Sequence, residues 1–128
     1  MNIRNLICLL LTFAGAIPAN AALSKYDKNA PVGWASYNYE LTGGGNAAPI
    51  TVTSLSELTD ALSGDNAAVI VVKGTIEVPS VKSIKEVSNK TLVGEPGAMI
   101  KSTGSIDNTT SGIFNITNCK NLIIRNIV

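Results

Sequence analysis

Few residues in this 128-residue chain carry side chains able to do covalent or metal chemistry, and those few do not cluster. Histidine is absent, which removes Ser-His-Asp catalysis and the usual zinc sites. Glu77, Glu86, Glu95 and Asp107 stand as isolated carboxylates. They include no Asp-x-Asp or similar grouping from which to build the roughly six to eight oxygens of a calcium shell. Gly43, Gly44 and Gly45 suggest a phosphate loop, but no Gly-Lys-Ser/Thr follows, and that signal fails. We assign no catalytic residue, no cofactor-binding residue and no metal ligand to this chain.

Other reactive positions are sparse. Asn89-Lys-Thr91, Asn108-Thr-Thr110 and Asn115-Ile-Thr117 are N-glycosylation sequons, usable only in a glycosylating secretory pathway. Asn108 lies in a polar loop and is the best candidate; Asn89 and Asn115 flank strands and can be structural instead. Trp34, Tyr37 and Tyr39 sit in a Gly-rich segment and read as pins holding a loop to a core rather than as a ligand platform.

The elements that must position these residues begin with a leader. Arg4, an apolar run from Leu6 to Gly15, Pro18 and the small-x-small triplet Ala19-Asn20-Ala21 have the layout of a secretory signal peptide, with cleavage expected after Ala21. The run is too short for the roughly 20 residues of a membrane span. Arg4 leaves with the leader, so the mature stretch 22–128 holds nine Lys plus Arg against nine Asp plus Glu. A balance near zero supports neither nucleic-acid nor anionic-membrane binding. Cys8 lies in the leader, so Cys119 is the one cysteine that remains. It reads as a buried thiol between strands or as half of a bridge to a partner beyond Val128.

Residues 22–49 are loop-like. Thr51-Val-Thr53 reads as a short strand, and Ser54 with Glu57 forms a capping box. Leu55, Leu58, Ala61 and Leu62 fall at helical spacing, with Gly64 suited to a left-handed cap, and predict a helix over 55–62. Ala67 to Lys73 is a nearly continuous apolar run expected to be buried on both faces, as parallel strands are. Gly74 to Val78 extends or bends it before Pro79 stops it. Further strands are expected at Lys90–Val93, Ala98–Lys101, Ile113–Thr117 and Leu122–Ile127, with corners at Gly94, Pro96-Gly97 and Asn118. Strand centres at Val71, Leu92 and Ile123 recur at the spacing of a solenoid, in which each coil buries its apolar residues against its neighbours. The polar loop from Lys101 to Gly112 lengthens the second interval. An antiparallel sandwich would show apolar-polar alternation and Asn-Gly or Asp-Gly hairpins, which are missing.

Six segments in order then resemble secreted pectate lyases of polysaccharide lyase family 1. They are Gly33 to Ser36, Thr42 to Gly45, Val52 to Leu58, Val69 to Ile76, Ser88 to Gly94 and Asn121 to Ile127. The resemblance implies an all-β fold, a right-handed parallel β-helix of the pectin-lyase type, of which 50–128 supplies the N-terminal capping helix and the first rungs. It also implies Ca2+-dependent β-elimination on polygalacturonate, the pectin backbone. In that reaction the metal bridges the uronate carboxylate to protein carboxylates and acidifies the proton at C5, which an arginine removes. The family's calcium-binding aspartates and catalytic arginine lie downstream of the strand matched by Leu122 to Ile127. Arg125, the one arginine outside the leader, belongs to the strand motif and reads as structural.

The chain is therefore expected to be the N-terminal part of a secreted, extracellular pectate lyase, a glycoprotein where its secretory pathway glycosylates and a monomer at full length, with pectin as its substrate. Alone, it is expected to bind no Ca2+ and to be inactive and poorly soluble, because its last strand would expose apolar residues and unpaired backbone. The alternatives are a non-catalytic secreted β-solenoid that binds pectin or a cell-surface partner, and the same portion of a calcium-independent pectin lyase.

Overall fold

The computed structural model describes residues 40–104 and 112–128. The expected leader, Trp34, Tyr37, Tyr39, Asp107 and Asn108 lie outside the described residues. Among those described, eight strands and one helix follow in order: β1 (Pro49–Val52), α1 (Leu55–Ala61), β2 (Ala68–Val72), β3 (Thr75–Val78), β4 (Lys82–Lys85), β5 (Ser88–Gly94), β6 (Met99–Ser102), β7 (Phe114–Thr117) and β8 (Lys120–Arg125).

The helix forms where the capping box placed it. Ser54 is the N-cap, its hydroxyl accepting from the Glu57 N–H at 3.3 Å. The Glu57 carboxylate accepts in return from the N–H groups of Thr53 at 2.8 Å and Ser54 at 3.2 Å. These contacts satisfy donors that the first helical turn leaves open. Leu58, fully buried, faces the core, and Leu62 ends the helix as its C-cap.

Every pair formed by these strands is parallel. A four-stranded sheet has the order β1-β2-β5-β8, and two two-stranded sheets pair β3 with β6 and β4 with β7. From β2 onward the chain visits the three sheets in turn, then visits them again in the same order. Ile70 lies beside Leu92, one coil later, and Leu92 beside Ile124, one coil later again. The second coil is the longer, and its added length enters between β6 and β7. Thr75 meets Met99 after a short path, whereas Lys82 meets Phe114 only after the chain has passed through 103–113.

All five residues of β2 are buried, as its unbroken apolar run predicts. Ala68, Ile70 and Val72 join Val52, Leu58, Leu62, Ile76, Val78, Ile84 and Leu92 in one core. Val69 and Val71 are buried on the opposite face of the sheet. Gly74, at φ 73°, turns the chain out of β2, and of the two expectations for this segment, extension or a bend, it takes the bend, into a second sheet. The sequence reading missed β4: Lys-Ser-Ile-Lys offers one apolar residue, Ile84, and only its pairing with β7 makes it a strand.

Candidate functional site

Among the described residues, the polar groups that could act lie at three places. The first is the outer face of the four-stranded sheet, where the turn at Gly43 and Gly44 docks. Asn121 holds this turn: its Oδ1 accepts from the N–H groups of Thr42 at 2.9 Å and Gly43 at 2.8 Å. Its Nδ2 donates to Thr42 Oγ1 and to Asn89 Oδ1, each at 2.9 Å. The Gly44 N–H donates to Thr91 Oγ1 at 2.9 Å. The approach needs glycine, because a Cβ on Gly43 would stand 2.2 Å from Thr91 Oγ1 and one on Gly44 would stand 2.2 Å from the Ala68 carbonyl oxygen. The triple glycine is thus a close-packing device, and the N–H groups of Gly43 and Gly44 are taken up by Asn121 and Thr91.

Second is Lys90, which the sequence reading treated only as part of a strand. It is 1% exposed and its ammonium donates to the Asn66 carbonyl in the turn after α1. Burial pulls its pKa below the ordinary lysine value, opposed in part by the nearby Asp65 carboxylate. Beside it, Asn89 Nδ2 donates to the Asp65 carbonyl at 3.1 Å. Lys90 and Asn89 together fasten the helix-to-strand turn to β5. An alternating pattern would have marked 90 as an inner position, but β5 has none, since its last five residues are all buried.

The third place comprises two surface hollows. One, of about 220 Å3, lies between the end of α1 and β4, with Leu62, Ile84, Phe114, Lys82 and Lys85 among its lining. The other, of about 320 Å3, is formed at the Pro96-Gly97 turn against Asn126 and Val128.

The carboxylates singled out in the sequence stay apart. Glu57 caps the helix, and its hydrogen bonds with Thr53, backbone first, hold its pKa below the usual carboxylate value. Glu77 pairs with Lys101 across β3 and β6 at 3.2 Å on an exposed face. Glu86 occupies a corner at φ 56°, and Glu95 follows β5. Among the described residues, no three His, Cys, Asp or Glu side chains gather into a metal-binding group. The donor set of the described residues does not fit the calcium that the family resemblance implies. Arg125 is half-buried on β8 in register with Val93, within the strand motif. Cys119 is half-buried against the core, with Sγ 3.4 Å from the Thr117 carbonyl and 3.6 Å from that of Ile84. No helix among the described residues is long and apolar enough to cross a membrane.

Comparison with known proteins gives this arrangement its context. The chain is 33% identical to pectate lyase plyB of Emericella nidulans over 100 residues, covering 78% of this chain and 27% of that protein. It is 30% identical to probable pectate lyase B of Aspergillus flavus over 128 residues, covering 94% of this chain and 36% of that protein. Pectate lyase A of Aspergillus niger is 32% identical over 123 residues, covering 91% of this chain and 35% of that protein. No family model and no solved structure matches. Over most of its length this chain is a stretch of pectate-lyase sequence, spanning about a third of the relatives it matches.

Proposed function

We propose that this chain is the N-terminal portion of a secreted pectate lyase and forms the first coils of a right-handed parallel β-helix. One observation carries the reading: pectate-lyase sequence lies here on a chain that visits three parallel sheets in a repeating order. Crossovers between parallel strands of one sheet are right-handed in about 98% of cases, which supports the hand. Helix α1 packs against β1, β2 and β3 and serves as the starting cap, while the turn at Gly43 and Gly44 docks across the outer face of the four-stranded sheet on β2, β5 and β8.

The whole protein acts on polygalacturonate by calcium-dependent β-elimination and is extracellular. The residues for that chemistry lie outside this chain, a reading supported by the scattered carboxylates and the structural setting of Arg125.

The test is to read the transcript past codon 128 and express the whole product beside the chain that ends at Val128. The whole product should release unsaturated uronides from polygalacturonate with calcium and stop when a chelator is added, while the shorter chain releases none. Calcium-dependent release by the shorter chain would overturn the placement of the site. Chelator-resistant cleavage of methyl-esterified pectin by the whole product would favour a pectin lyase. A stop codon directly after Val128 would overturn the whole reading.

A further inference from the structure

Three sequons occur in the chain, and the structure separates the two that are described. At Asn89-Lys-Thr91 the acceptor amide is occupied, donating to the Asp65 carbonyl, while its oxygen accepts from Asn121. Thr91 is buried and accepts from the Gly44 N–H. A sugar on Asn89 would displace the turn that follows α1. Asn115-Ile-Thr117 is arranged in the opposite way. It lies on β7, where alternate residues share a face. Ile116 is in register with the core residue Ile84, which places Asn115 and Thr117 on the outer face. Their partners in register, Ser83 and Lys85, are exposed, and so are Asn115 and Thr117 themselves. Among the described residues no group accepts a hydrogen bond from the Asn115 amide.

We propose that Asn115 is an N-glycan acceptor and that Asn89 is not. The amide nitrogen of Asn115 attacks C1 of a polyprenyl-diphosphate-linked oligosaccharide. The C1–N bond forms, the C1–O bond breaks, the amide gives up one proton, and the polyprenyl diphosphate leaves with the electron pair. The Thr117 hydroxyl supplies the sequon's second recognition point from the same face. The finished glycan projects outward from β7, away from the clamped turn at Gly43. This proposal rests on entry into a glycosylating secretory pathway, as in a fungal host, and not on the lyase reading.

The full chain is expressed in yeast behind a borrowed secretion leader, so that failure of its own leader cannot decide the result. An Asn108→Gln background leaves Asn115 as the single sequon in its tryptic peptide. Both the membrane-enclosed fraction and the medium are treated with peptide N-glycosidase in heavy-oxygen water, which marks each glycosylated Asn as labelled Asp. The expected result is label at position 115 in most molecules and none at position 89. Asn115→Gln should abolish the mobility shift and Asn89→Gln should leave it unchanged. Unlabelled Asn115 in chains whose leader has been cleaved, or label at Asn89, would overturn the proposal.

Discussion

At the scale of single residues, the informative side chains are polar groups that the fold has drawn inward. Lys90 is the extreme case, a cation with its stem and head removed from water and one carbonyl, that of Asn66, to receive it. Burying an ammonium disfavours its charged form. In the unfolded chain Lys90 titrates at its ordinary value of 10.5, so between the lowered folded value and 10.5 the unfolded chain binds more protons than the folded one. Stability therefore rises with pH through the interval between the folded value and 10.5, and the penalty is present in full below that interval. Lys90→Met, similar in length and without charge, should flatten this slope. Urea denaturation at stepped alkaline pH reads it directly, and an unchanged slope in the variant would show that Lys90 is not the group responsible.

Among the elements, α1 is the one whose existence depends most on local chemistry. Its two turns make a helix too short to persist alone. It stands because Ser54 and Glu57 satisfy its opening N–H groups and because Leu58 is sealed into the core. Ser54→Ala should lower the unfolding free energy by about 1 kcal/mol, the usual effect of losing an N-cap, as measured by chemical denaturation with no change in the slope against denaturant. The strands depend on the opposite kind of support. β4 has a single inward residue, Ile84, and its partner β7 supplies the pairing that its own sequence does not demand.

For the described residues as a whole, the governing feature is that parallel strands cover one another in register. Ile70 beneath Leu92 is shielded on both sides, whereas Ile124 above Leu92 is 44% exposed and Ile116 above Ile84 is 41% exposed. Among the described residues β8 ends its sheet, leaving a row of backbone groups that can pair with another strand. The chain by itself should therefore self-associate at micromolar concentration, seen as growing mass in light scattering. Ile124→Lys, which places a charge on that surface, should reduce the association several-fold. A wild-type chain that stays monomeric would show that the surface is covered from within.

Much of this could be read from residue order alone, because the signals are local. The capping box announces α1, and the unbroken apolar run announces a strand buried on both faces. The expected strand centres Val71, Leu92 and Ile123 fall next to the observed register of Ile70, Leu92 and Ile124. They agree because residues in register on neighbouring parallel strands share one buried face, so apolar positions recur with the pairing. Identical residue types in different places were decided by tertiary structure. Gly43 and Gly44 became a docking turn, Lys90 went inside while Lys82 and Lys85 stayed at the surface, and Asn89 was tied down while Asn115 was left open. Those outcomes depend on which residues from other coils arrive beside each group, as Asn121 arrives beside Thr42. Helix caps and apolar runs are short-range and legible in sequence, whereas the burial and pairing of a single polar side chain exist only once the coils have stacked.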